Sequence, residues 1–290
     1  MLKIVLPKGS LEEQTLKLFQ QADLEIKKAS RSYKLQVDDP RISEVRLLRP
    51  QEIPRLVEEG YFDLGITGYD CLKETGARVE VIEDLPYSKV TTEPVRLVLA
   101  VSEDSSYYKP EDLPSGARIA TEFPNITREF FEKLGLEVKV YYSYGATEAK
   151  VPDIVDAVVD LTETGETLRK NRLRIIATLL ESTTKLIANS ESYSKPEKRK
   201  AIEEIKLLLL GVIEARGRVL ISLNVKADRL EDVVKILPAM KKPTVSELYQ
   251  SDYYEVVTVV DKHMVNVLIP KLKAAGAEDI LEIPISKIVR

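Results

Sequence analysis

Short β-rich segments alternate with amphipathic helical segments from the N-terminus to about residue 190, and this alternation constrains the fold most strongly. In the first unit, residues 2–6 are typical of a buried strand and residues 7–9 of a turn. Ser10 and Glu13 have the spacing of a capping box that starts a helix over residues 11–22. Strands joined by helices usually pair in parallel, so the pattern predicts an α/β protein with mostly parallel sheets.

A second series of strand–helix units begins near residue 95, and the total length of 290 residues suits about two structural units. Two further strands, at residues 175–180 and 185–188, are expected to return to the first series. We therefore predict two lobes with a cleft. Lobe I comprises residues 1–90 and 175–195, lobe II comprises residues 91–174, and residues 196–216 form a connecting helix.

The pattern changes after Gly217. Residues 219–285 show the order strand, helix, strand, strand, helix, strand. This βαββαβ order is typical of a small ferredoxin-like domain. We predict such a domain over residues 217–290.

Charge and cysteine content exclude several classes of protein. The 43 Lys and Arg against 47 Asp and Glu leave a net charge of −4, so the chain has no general attraction for nucleic acid or an anionic membrane. One cysteine and one histidine exclude an internal disulfide and a Cys/His zinc cluster. No segment approaches the roughly 20 apolar residues of a membrane span. We expect a cytoplasmic protein that meets any phosphate ligand at a local site.

The segment DAVVDLTETGETL, residues 156–168, combines an apolar strand, an acid at its end, a threonine-rich turn and a helix. Backbone N–H groups and hydroxyls that converge at a helix start are typical donors to phosphate. Thr162, Thr164 and Thr167 each carry such a hydroxyl, and Gly165 allows a close approach of the backbone. With Asp160 beside it for ribose hydroxyls, the loop predicts a cradle for a sugar 5′-phosphate. A capped helix start in solvent is the alternative.

Other predicted strand ends offer polar groups but no nucleophile. Lys8, Arg49 and Asp70 follow strands, and the carboxyl ends of strands bind ligands in open α/β sheets. No Walker sequence and no GxGxxG motif follows a strand. His263 is expected at the surface near the start of a late helix, and Cys71 in an apolar segment. Neither residue is placed for nucleophilic catalysis.

Five blocks of the sequence, in matching order, resemble the ATP phosphoribosyltransferase family. The most specific block is the segment from Glu148 to Leu168 that contains the phosphate loop. The other four are LPKGS (residues 6–10), DLGITGYD (63–70), RIATEFPNITREFF (118–131) and ESTTKLIAN (181–189). The resemblance covers nearly the whole chain, and the βαββαβ tail is similar to the regulatory domain of the long form of this family.

The resemblance implies a pentosyltransferase that catalyses the first step of histidine biosynthesis. In that reaction N1 of the adenine of ATP attacks C1 of phosphoribosyl pyrophosphate and releases pyrophosphate, with Mg²⁺ as the cofactor. The resemblance also implies a two-lobed core akin to periplasmic binding proteins and a hexamer built from dimers. It further implies feedback inhibition by histidine at the C-terminal domain, with AMP as another ligand.

The resemblance assigns residues to each ligand. Those for phosphoribosyl pyrophosphate are Glu148, Asp160, Thr162, Glu163, Thr164, Gly165, Glu166 and Thr167. Those for ATP and pyrophosphate are Lys8, Gly9, Arg49 and Asp70. Those for the histidine inhibitor are Asn224, Met240, Thr244 and Asp279. No catalytic residue is assigned with certainty, and Mg²⁺ is expected to arrive on the substrate phosphates.

The sequence departs from the family pattern at three places. Ser10 stands where the family usually has Arg, so one cation for the polyphosphates is missing or comes from elsewhere. The segment over residues 85–97 lacks a glycine-rich stretch, and Lys89 can replace part of its charge. Asn224 stands where an acid is common, which weakens recognition of an ammonium group.

A non-catalytic, two-lobed binding protein for a solute or effector is the competing hypothesis. Such a protein would share the cleft and could use the tail to sense an amino acid. It would leave the threonine-rich loop after Asp160 unexplained. For the tail alone, an oligomerisation element is the alternative.

Overall fold

The computed structural model of the chain describes residues 1–27, 34–87, 94–238 and 242–290. The chain divides into two compact units, Met1–Lys206 and Leu207–Arg290. Within the described ranges, the first unit contains two sheets and the second contains one. None of the helices in these ranges is long and apolar enough to cross a membrane.

The elements of the first unit follow one another in two series. The first series is β1 (Leu2–Pro7), α1 (Glu12–Gln21), β2 (Ile26–Lys27), β3 (Lys34–Val37), β4 (Ile42–Leu48), α2 (Ile53–Glu58), β5 (Leu64–Gly68), α3 (Tyr69–Thr75) and β6 (Glu80–Leu85). The second is β7 (Val95–Ser102), β8 (Ala117–Thr121), α4 (Pro124–Leu134), β9 (Val138–Tyr142), β10 (Ala157–Thr162), α5 (Glu166–Lys170) and β11 (Leu173–Ser182). After them come β12 (Thr184–Ala188), α6 (Ser190–Ser194) and α7 (Pro196–Ala215), whose last turns belong to the second unit.

The first lobe is a sheet whose described strands have the order β2-β3-β4-β1-β5-β12-β6. Its central strand β1 is parallel to β4 and β5, and β12 runs antiparallel between β5 and β6. Leu2, Ile4, Val5 and Leu6 of β1 are fully buried, because a strand covered on both faces requires a nearly continuous apolar run. The carboxyl ends of β1, β4 and β5 therefore lie at one edge of the sheet.

The second lobe is a sheet with the order β11-β7-β10-β8-β9 among the described strands. β8 is parallel to both β9 and β10, while β7 is antiparallel to β10 and β11. Both sheets are thus mixed rather than mostly parallel. The antiparallel pairs of β7, β11 and β12 lie next to the points where the chain passes between the lobes, and β3 pairs antiparallel with β2 and β4 at the far side of the first sheet.

The prediction that residues 175–180 belong to lobe I was wrong. They lie in β11, which pairs antiparallel along its length with β7 of the second lobe. Ile176, Leu179 and Leu180 pack on the core of that lobe, and this apolar burial determines the sheet that the strand joins. The chain returns to the first lobe only at β12.

One local prediction at the first lobe was also wrong. Ser10 does not cap α1, because the helix begins one residue later with Leu11 at its N-cap position and without a side-chain cap. The N–H of Gly9 instead donates to the carboxylate of Glu12 at 3.4 Å. At the end of β5, Gly68 has an extended backbone and α3 follows directly from Tyr69.

The second unit has the predicted βαββαβ order. Its elements after α7 are β13 (Arg218–Lys226), α8 (Leu230–Ile236), β14 (Thr244–Glu247), β15 (Tyr253–Asp261), α9 (Val265–Ala274) and β16 (Glu278–Pro284). The described strands form an antiparallel sheet in the order β14-β15-β13-β16, the ferredoxin-like arrangement. Ile221, Leu223 and Val225 alternate along β13 and pack with Leu268 and Leu272 of α9 in one core.

Candidate active site

A cleft of about 340 Å³ lies between the two lobes of the first unit. Each part of its lining follows the end of a strand or crosses between the lobes. From the first lobe come Ser10, Leu11, Pro50, Gln51, Gly68, Asp70, Cys71, Leu85, Pro86 and Tyr87. From the second lobe and the crossing segment come Val95, Glu122, Phe123, Asp160, Leu161, Thr162, Glu163, Ser182, Thr183 and Thr184. The lining therefore joins strand ends of both sheets, where α/β proteins bind ligands.

The threonine-rich loop after β10 is organised by its own hydroxyls. The N–H of Gly165 donates to Thr162 Oγ1 at 2.8 Å, and the N–H of Glu166 donates to Thr164 Oγ1 at 3.3 Å. Gly165 has φ of 76°, a left-handed conformation that strains any residue with a Cβ. The hydroxyls of Thr162 and Thr164 each accept one of these N–H groups and keep their own O–H for a ligand. The loop thus has the shape and the donors of an oxyanion cradle.

The helix behind this loop is short. α5 covers Glu166–Lys170, five residues. The effect of a helix dipole is confined to its terminal turn and is modest here, so the hydroxyls and backbone N–H groups carry the cradle. Asp160, Thr162 and Glu163 line the cleft, while Thr164 and Thr167 are exposed beside it.

Three carboxylates gather at the carboxyl ends of β8 and β10. Burial raises the pKa of Asp160 to about 6, the N–H of Leu161 opposes this with a 2.8 Å bond, and the charges of Glu148 and Glu122 raise it further. Glu148 lies on the short 3₁₀ turn Thr147–Lys150 rather than in the cleft lining, but it is close enough to act on Asp160. The second lobe thus presents concentrated negative charge to the cleft.

Asp70 is held by the residue that ends β11. The hydroxyl of Ser182 donates to Asp70 Oδ1 and accepts the N–H of Asp70 at 3.0 Å. The thiol of Cys71 donates to Asp70 Oδ2 at 3.3 Å. A Cβ on Gly68 would lie 2.1 Å from Asp70 Oδ1, so only glycine leaves room for this carboxylate. Burial, and then the charge of Asp70, raises the pKa of Cys71 well above its usual value, which leaves the thiol unreactive.

The structure brings Lys8, Gly9 and Arg49 together at the ends of the paired strands β1 and β4. The N–H of Lys8 donates to the carbonyl of Leu48 at 2.7 Å. A Cβ on Gly9, whose φ is 105°, would lie 3.9 Å from Arg49 Nη1. Lys8 and Gly9 directly precede Ser10, and Arg49 lies two residues before Gln51. Ser10 and Gln51 line the cleft. The predicted nucleotide-side residues therefore lie at one edge, across the cleft from the threonine-rich loop.

Sequence reasoning missed several residues of the cleft. Glu122 and Phe123 follow β8 and lie at the same edge of the second sheet as Asp160. Their position directly after a strand could have identified them from the sequence. No local sequence pattern could have identified Ser182 and Thr184 as cleft residues. They reach the cleft because β11 and β12 pair with different sheets. The cation suggested at Lys89 lies outside the described residues.

In the C-terminal unit, two of the predicted histidine-binding residues are in direct contact. Asn224 Nδ2 on β13 donates to Asp279 Oδ2 on the neighbouring strand β16 at 3.0 Å. Thr244 lies on β14, which β15 separates from β13. Met240 lies outside the described residues. Asn224 and Asp279 therefore remain the core of the predicted inhibitor site.

Comparison with known proteins identifies the family. Residues 49–211 match the family model "HisG: ATP phosphoribosyltransferase", and residues 215–287 match "HisG, C-terminal domain". The ATP phosphoribosyltransferase of Pelotomaculum thermopropionicum is 50% identical over 288 residues, with 99% of each chain covered. The chain belongs to the ATP phosphoribosyltransferase family. A relative of the same name in Desulforudis audaxviator is 49% identical, also over 99% of each chain.

Solved structures agree with this assignment. The ATP phosphoribosyl transferase (HisG:HisZ) complex of Thermotoga maritima is similar with a TM-score of 0.63 and 30% identity, covering 74% of this chain and 99% of that chain. Tv2483 bound to L-arginine has a TM-score of 0.50 at 13% identity over 73% of this chain and 85% of its own, a likeness of fold alone. The two-lobed α/β core is confirmed as predicted.

The predicted activity is confirmed at the level of the family. The two family models cover a catalytic core and a C-terminal domain, so the chain has the long form of ATP phosphoribosyltransferase. That enzyme catalyses the first step of histidine biosynthesis, and the long form implies feedback regulation by histidine. A non-catalytic binding protein, the competing hypothesis, does not account for 50% identity over nearly the whole chain.

Proposed function

We propose that the cleft between the two lobes binds phosphoribosyl pyrophosphate and ATP together and transfers the phosphoribosyl group to N1 of the adenine. One observation carries this proposal. The threonine-rich loop after β10 and the basic strand ends at Lys8 and Arg49 flank the same cleft from opposite lobes. A reaction between two phosphorylated substrates needs two such sites facing each other.

The second lobe holds phosphoribosyl pyrophosphate. Hydroxyls of Thr162, Thr164 and Thr167 donate to the 5-phosphate, together with the backbone N–H groups over residues 163–167 that the threonine hydroxyls do not already accept. Asp160, at the end of β10, accepts hydrogen bonds from the ribose hydroxyls. Glu163 and Glu166 contribute their backbone rather than their carboxylates, which would repel the phosphate. Glu148 faces the ribose or the incoming purine.

The first lobe holds the polyphosphates. Lys8 and Arg49 provide positive charge, and Gly9 lets the backbone approach the phosphate oxygens. Asp70 lies inside the cleft, fixed by Ser182, where it can accept a hydrogen bond from a nucleotide amine or hydroxyl. Ser10 lines the cleft at the place where the family usually has Arg, so this chain relies on Lys8 and Arg49 for charge.

The chemistry follows from this arrangement. Adenine N1 donates its electron pair to C1 of the ribose while the bond from C1 to the pyrophosphate oxygen breaks, and pyrophosphate leaves with that electron pair. Positive charge develops on the ribose ring in the transition state. The carboxylates of Asp160 and Glu148 lie at this end of the second lobe and stabilise that charge. No protein nucleophile is required.

Mg²⁺ suits this site as an ion carried by the substrates. The described residues contain no group of three His, Cys, Asp or Glu side chains placed to hold a metal ion. Magnesium is usually bound by one or two carboxylates together with substrate phosphates, and the pyrophosphate supplies such oxygens. When bound, the ion neutralises charge on the leaving pyrophosphate.

The C-terminal unit is the sensor of histidine in this proposal. The carboxylate of Asp279 binds the ammonium group of histidine, and Asn224 orients that carboxylate. Assembly into dimers and a hexamer, binding of AMP and a cytoplasmic location stay predictions from the sequence.

The experiment mixes the purified chain with ATP, phosphoribosyl pyrophosphate and Mg²⁺ and follows the absorbance of phosphoribosyl-ATP. Matched reactions omit one component each, and a pyrophosphate assay runs in parallel. We expect equal amounts of phosphoribosyl-ATP and pyrophosphate only in the complete mixture. Binding of both substrates without turnover would contradict the proposal and favour a non-catalytic binding protein.

A further inference from the structure

Helix α4 of the second lobe has no capping side chain of its own. Phe123 occupies its N-cap position with a buried ring, and Pro124 at the first helical position has no N–H. The N–H of Phe123 donates to Thr121 Oγ1 at 2.9 Å. The next two N–H groups, those of Asn125 and Ile126, have no partner within the helix and need an acceptor from outside.

The first lobe supplies that acceptor. The carboxylate of Glu74, on the last turn of α3, accepts the N–H of Asn125 at 2.9 Å and 3.1 Å and the N–H of Ile126 at 3.0 Å. A carboxylate is among the best caps for a helix N-terminus, because it satisfies free N–H groups and complements the dipole. The cap of α4 is therefore provided by the other lobe.

The contact is reciprocal. Asn125 Nδ2 donates to the backbone carbonyl of Glu74 at 2.9 Å, a carbonyl at the end of α3 that receives no N–H from within its own helix. Arg128 Nη1 donates to Asn125 Oδ1 at 3.2 Å and so fixes the orientation of the amide. The C-terminal end of one helix and the N-terminal end of the other thus satisfy each other across the lobes.

The position of this contact links it to the cleft. Glu74 lies one helical turn after Asp70, and Asn125 lies two residues after Phe123. Asp70 and Phe123 line the cleft from opposite lobes. We propose that Glu74 and Asn125 form an interlobe latch that holds the cleft closed and thereby positions the two substrates. Glu74 is a positioning residue and touches neither substrate.

The latch has a distinct kinetic consequence, which rests on the proposed function. If only the closed cleft binds substrates well, weakening the latch lowers the closed fraction and raises both apparent dissociation constants by one common factor. Saturating substrates restore the closed state, so kcat changes little. A defect in folding would instead lower kcat through loss of active protein and leave KM unchanged.

The structural test uses hydrogen exchange of the full chain without ligands. In Glu74→Ala we expect faster exchange at the amides of Asn125 and Ile126, with later turns of α4 unchanged. Glu74→Gln, which keeps one acceptor oxygen, is expected between Glu74→Ala and the parent. Glu132→Ala, on an exposed position of α4, is the matched control. Equal exchange at the two amides in all variants would overturn the latch.

The kinetic test measures KM for each substrate in the same variants at a subsaturating concentration of the other substrate, because saturation with one substrate would itself restore the closed cleft. In Glu74→Ala we expect both values to rise together by about five- to thirtyfold, the factor for loss of one capping interaction, with partial recovery in Glu74→Gln. Faster exchange at the amides of Asn125 and Ile126 with unchanged KM values, or with a fall in kcat alone, would show that Glu74 caps α4 but does not position the substrates. Either result would overturn the proposal. If Glu74→Ala does not fold, Asn125→Ala replaces it in the kinetic test. This variant removes the contact of the Asn125 amide with the Glu74 carbonyl and keeps the Glu74 cap. If the unmodified chain showed no turnover, the proposed function would be refuted. The hydrogen-exchange test would still show whether Glu74 and Asn125 form the latch.

Discussion

The hydroxyl of Ser182 both donates to a carboxylate oxygen of Asp70 and accepts the backbone N–H of Asp70 at 3.0 Å. Ser182 ends the last strand of the second lobe, and Asp70 lies in the first turn of a helix in the first lobe. Both side chains are buried, at 1% and 5% exposure. Ser182 therefore ties the segment that crosses between the lobes to the cleft wall at Asp70.

Ser182→Ala tests this connection. The change leaves the buried N–H and one carboxylate oxygen of Asp70 without partners, which costs about 1–3 kcal/mol. We expect the free energy of unfolding, measured in urea, to fall by that amount. Ser106→Ala, at an exposed serine, is the matched control and should change stability by less than about 0.5 kcal/mol. Equal stability of the two variants would show that the Ser182 hydroxyl contributes nothing to the fold.

Thr164→Val combined with Thr167→Val tests the phosphate cradle. Each hydroxyl donates a charge-assisted bond worth about 1.5–3 kcal/mol, so kcat/KM for phosphoribosyl pyrophosphate should fall by two or more orders of magnitude. KM for ATP should change far less. Thr178→Val, on β11 and away from the loop, is the control. Unchanged turnover in a correctly folded double variant would refute the cradle.

The raised pKa of Asp160 predicts a pH dependence of stability. Burial, aided by Glu148 and Glu122, raises the pKa from 3.8 to about 6, so the native state binds the proton more tightly than the unfolded chain. The stability linked to this proton is complete below about pH 4 and is lost as the pH rises through about 6. Asp160→Asn should therefore gain stability relative to the parent at pH 7 but not at pH 4 in urea unfolding. A constant difference across this range, as expected for the exposed control Asp153→Asn, would contradict the assignment.

The same carboxyl predicts an acid limb in activity. If Asp160 binds ribose hydroxyls as a carboxylate, kcat/KM should decline below about pH 6. Glu148→Gln removes a like charge, so it should lower the pKa of Asp160 and move the limb to lower pH. A limb that stays in place in Glu148→Gln would belong to the substrate phosphate instead.

Asp279→Asn tests the histidine site in the C-terminal unit. Loss of the charge that receives the ammonium group should raise the histidine concentration for half inhibition by about tenfold or more. Inhibition is expressed relative to the uninhibited rate of each variant, and Asp232→Asn, exposed on α8, is the control. Equal sensitivity of both variants to histidine would place the inhibitor elsewhere.

Local sequence patterns predicted the helices and strands that depend only on neighbouring residues. The apolar run of β1 and the strand-to-helix passage at Asp160 to Thr167 can both be found within a dozen residues. The βαββαβ order of the C-terminal unit was predicted for the same reason. Family resemblance then added the ligands, which no periodicity could supply.

Features that depend on distant pairing could not be predicted. β11 joins the second lobe because its apolar side chains pack on the core of that lobe and it pairs with β7, and nothing in its own composition distinguishes the two sheets. The Ser182–Asp70 pair joins positions 112 residues apart. Glu74 caps a helix in the other lobe, a contact that its neighbours in the sequence do not indicate.

The most direct measurement is a crystal structure of the full chain soaked with phosphoribosyl pyrophosphate and Mg²⁺. The account predicts that the 5-phosphate lies within hydrogen-bond distance of the hydroxyls of Thr164 and Thr167 and of backbone N–H groups over residues 163–167, with the pyrophosphate directed toward Lys8 and Arg49. Density for the ligand elsewhere, with the loop over residues 160–167 empty or covered by a neighbouring subunit, would contradict it.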